Sequence, residues 1–298
     1  MPTPTPTPTP FLLEPTGGAA PRIERFSFAT DVETHRDGSE RRSASRAYPR
    51  LTLSAQYMQL RSDPADSLAP LRAGGMLLVP AWQHQFVSSS GAPPLVDAGV
   101  PLVGEREWLV RSRRGAWRVV TLGFLPGTNV LDGWSAADAL AIPLHVAQLA
   151  EDSFDVEYST PATVMPVSLS FDVEANLETP APWSDGGLVF PERQDWSARL
   201  RESTAFSVSR FDAGNLRLRE LRYVKRTLGL SLTPMGRAAI VEFRRWIYAV
   251  RGRLNAFTWR APMDAETRLW RLGSDDVEIQ YLKPSLATCQ LTFVEVAA

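Results

Sequence analysis

The sequence contains the octapeptide Gly75-Met-Leu-Leu-Val-Pro-Ala-Trp82 and, 177 residues later, the octapeptide Gly252-Arg-Leu-Asn-Ala-Phe-Thr-Trp259. At the same offset Leu51-Thr-Leu-Ser54 aligns with Leu228-Gly-Leu-Ser231, and Arg42 aligns with Arg219. Both halves therefore share one order: an Arg-rich extended stretch, a Leu-x-Leu-Ser strand, a helix, a glycine, an apolar strand and a tryptophan. A shared order at constant spacing indicates internal duplication. We predict two similar halves.

The clearest helix is predicted over residues 234–251. Thr233 is expected to cap its N-terminus, with Pro234 at the first helical position, where a missing N–H costs nothing. Its apolar residues recur at helical spacing on one face, and its arginines fall elsewhere. The apolar residues are Ala239, Phe243, Trp246, Ile247, Val250 and Leu254, and the arginines are Arg237, Arg244, Arg245 and Arg251. A shorter counterpart is expected before Gly74-Gly75 in the first half.

Most of the remaining sequence predicts β-strands. Alternating or β-branched segments, such as those from Ser45 to Leu60 and from Thr288 to Val296, are separated by turns rich in Gly, Pro and Asp. Many short strands with few helices are typical of β-sandwiches and barrels. We therefore expect a mainly β protein with two β-sandwich or barrel-like domains, each with a short helix.

Proline and glycine suggest how the chain is divided. Alternating Thr and Pro at the N-terminus favour a polyproline II arm, and Phe11 and Leu12 would anchor its end. The segment from Pro2 to Pro10 is thus a candidate strap onto a neighbouring subunit. The predicted units are an arm over residues 1–20, a first β domain over 21–177, a linker over 178–195 and a second β domain over 196–298.

The composition argues against several kinds of site. Among 298 residues there is one cysteine, Cys289, so no internal disulfide framework or multi-cysteine metal site is possible. Three histidines (His35, His84, His145) are widely spaced. The sequence has no G-x-S-x-G, P-loop or H-E-x-x-H motif. We therefore predict no enzymatic activity, no metal and no cofactor, and we expect Cys289 to be a buried, inert thiol.

Charge is unevenly distributed along the chain. The formal net charge is −1, but residues 196–270 contain fifteen basic and six acidic residues, so they carry +9 and the remainder carries −10. Opposite patches of this kind favour association with a second copy or a partner. Thirty of the 32 basic residues are arginine, a residue suited to bidentate contacts at interfaces. An Arg-favouring codon usage is the alternative explanation.

The second half contains a characteristic succession of motifs. Phe243-Arg-Arg-Trp246 is followed by Arg251-Gly-Arg253 and then by Ala256-Phe-Thr-Trp-Arg-Ala-Pro262. This helix, leading through a G-R-x-x-x-F turn into an aromatic strand, resembles the distal tail proteins, or related baseplate components, of long-tailed bacteriophages and gene transfer agents. The Arg-rich segment from Arg217 to Arg226 fits the same pattern, and Asp37-Gly-Ser-Glu-Arg-Arg42 resembles a G-x-E-x-R segment near the start of such proteins.

The resemblance implies a virion structural protein without enzymatic activity. Such a protein forms a homo-oligomeric ring, expected to be a hexamer, that connects the tail tube to the tip or hub proteins. It would be made in the host cytoplasm and located in the phage tail. We predict no specific nucleic acid and no membrane insertion. The candidate interface residues are Phe11, Leu12, Arg217, Arg219, Arg222 and Arg226.

Two alternatives remain open. The first is a carbohydrate-binding β-sandwich module used in host recognition, with Trp134 in Leu131-Asp-Gly-Trp-Ser135 as the best candidate for an exposed aromatic. The second is nucleic-acid binding through arginines interleaved with aromatics. We expect those aromatics, Trp246, Phe257 and Trp259, to be core residues instead.

Overall fold

The chain is mainly β, as expected from the sequence. The computed structural model describes residues 8–11, 14–15, 21–34, 40–57, 68–88, 91–94, 106–123, 131–151, 153–155, 158–160, 163–164, 166–174, 187–191, 196–210, 216–261 and 264–296. The strands are β1 (Thr9–Pro10), β2 (Arg22–Ser27), β3 (Thr30–Thr34), β4 (Glu40–Ala44), β5 (Arg50–Tyr57), β6 (Leu77–Pro80), β7 (Phe86–Val87), β8 (Arg106–Ser112), β9 (Trp117–Leu122), β10 (Asp138–Leu149), β11 (Tyr158–Thr160), β12 (Thr163–Val164), β13 (Val167–Val173), β14 (Trp196–Arg210), β15 (Leu216–Gly236), β16 (Phe257–Trp259), β17 (Arg268–Leu272), β18 (Asp276–Lys283) and β19 (Leu286–Glu295). The described helices are α1 (Ala69–Ala73) and α2 (Arg237–Val250), with a 3₁₀ turn at Trp82–His84.

The predicted start of the long helix is wrong. Helix α2 begins at Arg237 because β15 continues to Gly236, where Met235 and Gly236 still pair with Ala287 and Leu286 of β19. Thr233 and Pro234 therefore belong to a strand, and Gly236 occupies the cap position without a side-chain cap. Four of the six predicted apolar-face residues (Phe243, Trp246, Ile247 and Val250) are buried, whereas Ala239 and Leu254 are only partly buried. The helix ends at Val250 and is followed by Arg251 in the left-handed conformation (φ 54°).

The two halves share one sheet. Its strand order is β1-β6-β10-β13-β5-β2-β18-β19-β15-β14, so β2 of the first half pairs directly with β18 of the second. One core cluster also draws residues from both halves, among them Phe26 and Trp246. The division into two domains at residues 178–195 stays a prediction. The sheet and the core cluster both contain residues from each side of that division.

The same strand order occurs twice, which supports the predicted duplication. The first half runs β6-β10-β13-β5-β2 and the second runs β16-β17-β19-β15-β14, with antiparallel neighbours throughout. In each half a helix joins the fourth strand of this order to the first. The rows of paired residues correspond as well: Glu24, Leu53, Phe171 and Leu149 lie side by side in the first half. Their counterparts are Leu200, Leu228, Phe293 and Leu272.

The duplication extends to the segments that precede β2 and β14. Pro10 pairs in parallel with Leu78, and Val189 pairs in parallel with Thr258. The next residue in each segment donates its backbone N–H to the paired strand: Phe11 to the carbonyl of Leu78 and Phe190 to the carbonyl of Thr258. Both phenylalanine rings are almost completely buried. Each segment is therefore a strap across the end of its own half.

The buried rings of these straps bear on two expectations. Phe11 contacts Tyr57 and Phe171 in the core of its own chain, so its ring does not anchor the arm on another subunit. Phe190 lies within the segment predicted to be a linker, yet it is a core residue. Leu12 and residues 1–7 of the arm lie outside the described residues.

Candidate functional site

The outer edge of β14 is the most prominent candidate for an interaction surface. Its inner edge pairs with β15 from Trp196 opposite Leu232 to Arg210 opposite Leu216. Among the residues that the structure describes, no strand pairs with its outer edge. Unpaired N–H and C=O groups along an edge form a template for another strand.

The β14–β15 hairpin also extends beyond its neighbour. Among the described residues, β19 pairs with β15 from Thr227 onwards, and the part of the hairpin before Thr227 has no third strand beside it. This part is a two-stranded ribbon within the described structure. The register places Arg217 and Arg219 opposite Ser209 and Ser207, at positions on one face of this ribbon. An isolated two-stranded ribbon is marginally stable in water and is stabilised by packing against something else. The predicted interface residues Arg217, Arg219 and Arg222 thus all lie in β15 within this ribbon.

Arg226, the fourth predicted interface arginine, stands at the base of this ribbon and is already paired within the chain. Its guanidinium lies 2.7 Å from Glu202, 3.1 Å from Asp264 and 3.7 Å from Glu295. Arg268 joins the same network, 2.7 Å from Glu295 and 3.4 Å from Asp264. Arg226 therefore fixes the base of the ribbon within its own chain, and its role in contacting another subunit stays a prediction.

The β3–β4 hairpin is the first-half counterpart of the ribbon, since it follows β2 and precedes β5. It docks on the second half through Asp275, which accepts hydrogen bonds from Thr30 and from the guanidinium of Arg253. Arg42 of β4 donates to the carbonyl of Arg253 at 2.8 Å. Burial opposes the ionisation of Asp275, but the hydrogen bonds from Arg253 and Thr30 outweigh it and hold the pKa of Asp275 below its usual range. The docked hairpin shows how a ribbon of this type is held.

Gly252 makes this docking possible, and its replacement is expected to be costly. Its φ is +63°, and an added Cβ would lie 2.5 Å from Oδ1 of Asp275 and 2.9 Å from Cβ of Phe28. Gly115, with φ +91° and open space around it, is the matched control. We expect Gly115→Ala to lower the free energy of unfolding by about 1 kcal/mol through backbone strain. Gly252→Ala should cost about 1–3 kcal/mol more through the clash, as measured by urea unfolding. Equal losses for the two variants would contradict this account of the docking.

A buried ionic cluster joins the halves at their shared strand pair. Glu24 of β2 is fully buried and accepts hydrogen bonds from Arg244 of α2 at 2.8 Å and from the hydroxyl of Tyr281 of β18 at 2.7 Å. His84 lies 3.2 Å from the same carboxylate. Burial opposes the ionisation of Glu24, but the charges of Arg244 and His84 and the hydrogen bonds from His84 and Tyr281 hold its pKa below the usual range. Glu24 thus links β2 and the 3₁₀ turn of the first half to α2 and β18 of the second half.

Sequence reasoning missed this cluster. Arg244 was expected away from the apolar face of the helix, but it is 1% exposed and lies within that face. The available signal was in β2, where Glu24 has the same strand parity as the core residue Phe26. Beside the cluster is a cavity of about 20 Å³, lined by residues that include Gln83, His84, Arg237 and Tyr281. This volume has room for about one water molecule and none for an organic substrate.

The face of the sheet that points away from the core is polar and built from small residues. In the first half, Thr52 donates to Asp172 at 2.7 Å and Ser54 lies 2.8 Å from Ser170. In the second half the same side is a broad depression of about 500 Å³ on strands β14, β15 and β19. Its polar lining residues are Ser197, Arg199, Ser231, Gln290 and Thr292. This face thus offers hydrogen-bonding groups along an open surface.

Trp134 is less accessible than the sequence suggested. It is half-buried, it packs against a small cluster formed by Phe86, Trp108 and neighbouring residues, and its indole N–H is buried. A half-buried indole offers little free face for stacking on a sugar. Carbohydrate binding stays a prediction, but Trp134 gives it little support. Trp246, Phe257 and Trp259 are core residues, as expected.

Cys289 is buried, and burial raises the pKa of its thiol well above its usual value. Within the described ranges, no three His, Cys, Asp or Glu side chains are grouped closely enough to hold a metal ion. None of the described helices is long and apolar enough to cross a membrane. In comparisons with known proteins, no family model matches the chain and no curated protein matches its sequence.

Proposed function

We propose that this protein is a non-enzymatic structural subunit of a phage-type tail tip or baseplate, in which copies associate head to tail into a ring. The observation that carries the proposal is the outer edge of the 15-residue strand β14, with which no strand pairs among the described residues. A long open edge is usually covered, because it otherwise promotes uncontrolled association. Association of one edge with a different surface of the next copy produces a ring when the rotation closes.

Two further observations support a ring with an open centre. The polar face of small side chains, including Ser54, Ser170 and Ser231, suits a wall that faces water. The separation of charge, +9 over residues 196–270 and −10 elsewhere, suits contact between unlike surfaces of identical copies. Together with the resemblance of the second half to distal tail proteins, these features favour a hexameric adaptor between tail tube and tip or hub proteins, located in the virion.

The test is mass photometry and negative-stain electron microscopy of the purified chain at low and physiological salt. We expect discrete closed rings that become less populated as salt rises, because screening weakens attraction between charged patches. The double variant Arg217→Glu/Arg219→Glu should shift the population towards monomer. Arg72→Glu, a charge reversal at an exposed residue of α1, is the control and should leave the rings intact. Monomers at every concentration and salt would overturn the proposal.

A further inference from the structure

The pairing between β2 and β18 shows how the edge of one repeat is covered. The outer edge of β2 receives β18 in antiparallel register, with Glu24 opposite Ile279 and Arg22 opposite Tyr281. Strand β18 belongs to the other half of the chain and forms a hairpin with β19. The first repeat is therefore completed by a hairpin strand of the second repeat.

Strand β14 is the second repeat's equivalent of β2. Leu53 lies between Glu24 and Phe171, just as Leu228 lies between Leu200 and Phe293. Leu200 thus occupies the position of Glu24, and Ala198, two residues earlier, occupies the position of Arg22. The outer edge of β14 is the equivalent of the edge that β18 covers.

The β11–β12 hairpin is the first repeat's equivalent of the β18–β19 hairpin. Tyr158 pairs with Val164 and Thr160 with Thr163, with a register shift between the two pairs. Tyr281 pairs with Ala287 and Lys283 with Leu286, with the same kind of shift. The connecting sequences are Thr160-Pro-Ala-Thr163 and Lys283-Pro-Ser-Leu286, each with proline at the second position. Within the described part of the chain, β11 pairs with no strand other than β12.

We propose that β11 of one copy pairs with the outer edge of β14 of the next copy, in the register that β18 adopts on β2. This inference rests on the proposed self-association and specifies its interface. The occupant is a second copy of this chain because the equivalent internal edge is already filled by the equivalent hairpin. Repetition of the contact carries one sheet from copy to copy, with a different surface of the chain on each side of the junction.

Charge complementarity supports the same neighbour. The β3–β4 hairpin docks at Asp275, just after Gly273, whose N–H donates to Thr292. The equivalent bond in the first half runs from Ala150 to Ser170, and the following turn carries the exposed acids Glu151 and Asp155. In the proposed interface the Arg-rich ribbon of one copy approaches this acidic turn of the next. Unlike charges at that place favour the pairing and oppose the reverse orientation.

The proposed register of β11 on β14 predicts which residues of the two copies lie opposite each other. Ala198 takes the place of Arg22 and Tyr158 the place of Tyr281, so these two residues lie opposite each other across the junction. Opposed residues of antiparallel strands have Cα atoms about 4.5–5.5 Å apart. This separation is within the range that a disulfide bond spans. Trp196 and Thr160 form the next pair in the same register.

The experiment mixes two separately purified single variants, Ala198→Cys and Tyr158→Cys, under mild oxidation. We expect disulfide-linked dimers between the two variants, at roughly ten times or more the yield in control mixtures, since assembly raises the local thiol concentration far above the bulk value. The control pairs Tyr158→Cys with Arg25→Cys, because Arg25 is an exposed residue of β2, whose edge is already covered. Each variant's melting temperature and ring population are measured alongside, and Trp196→Cys with Thr160→Cys provides a second pair should the first fail to fold.

The outcomes separate the interface from the function. Linked dimers in either designed mixture, absent from the control, support the proposed pairing. Rings that form without linkage in both designed mixtures overturn the pairing while the proposed function stands. Folded variants and wild-type protein that remain monomeric throughout overturn both.

Discussion

Replacing Glu24 with alanine is expected to lower the free energy of unfolding by about 3–5 kcal/mol. The substitution leaves the guanidinium of Arg244, which is 1% exposed, buried without its carboxylate partner. It also removes the acceptor of the Tyr281 hydroxyl. The loss falls on the strand pair that joins the two halves, so unfolding should remain cooperative but begin at a much lower denaturant concentration. Guanidinium chloride unfolding followed by tryptophan fluorescence gives the value.

Two comparisons distinguish a buried pair from an ordinary one. Arg25 and Asp276 form an exposed ion pair on the same two strands, and Arg25→Ala should cost at most about 1 kcal/mol. The double variant Glu24→Leu/Arg244→Met should recover most of the stability, because apolar residues of similar volume replace both buried charges together. A loss for Glu24→Ala as small as that for Arg25→Ala would contradict the structural role of the cluster.

The pH dependence of this effect has a definite sign. The pKa of Glu24 is lower in the folded protein than its ordinary value. The contribution of ionised Glu24 to the free energy of unfolding is therefore present at neutral pH. It is lost as the pH falls through the lowered pKa of the folded protein. The difference in stability between wild type and Glu24→Ala should accordingly shrink in acid.

Phe190→Ala is expected to destabilise the protein by about 3–5 kcal/mol, the usual cost of removing a fully buried phenylalanine. The ring of Phe190 contacts Trp246, Trp259 and Phe293 at centroid distances of 5.1 to 5.3 Å. Its removal leaves a cavity at the centre of the aromatic cluster. Thermal unfolding monitored by circular dichroism, with urea titration for the free energy, measures the loss.

Val189→Ala is the matched control for the strap. Val189 precedes Phe190 in the same segment and is 41% exposed, so its truncation should change the stability by less than about 0.5 kcal/mol. A small effect of Phe190→Ala would mean that residues 187–191 behave as the linker predicted from the sequence.

Local patterns were enough to predict the class of fold and its repetition. The Leu-x-Leu-Ser segments lie in β5 and β15, and the glycines at 75 and 252 follow the two helices. Alternation in a strand and periodicity in a helix are local properties, so they can be read without knowing which elements meet.

The features that were not predicted from the sequence depend on contacts between residues that are far apart along the chain. Thr233 and Pro234 form a good helix start locally, but pairing of Met235 with Ala287 extends the strand past them. Glu24 and Arg244 are separated by 220 residues, so no local pattern joins them. Phe190 stands among prolines, glycines and acids that indicate a linker, and only the aromatic cluster around it explains its burial. The equivalence of β14 with β2 follows from the paired registers of both repeats, which the sequence does not display.

Hydrogen–deuterium exchange of the assembled protein tests the central claim most directly. Residues 196–202 of β14 should exchange rapidly in dilute monomer and become as protected as residues 22–27 of β2 when rings form, because a second strand then accepts their outward N–H groups. The same samples report residues 158–160, which should gain protection in parallel. Unchanged exchange at both segments in samples that contain rings would contradict the edge-to-edge account.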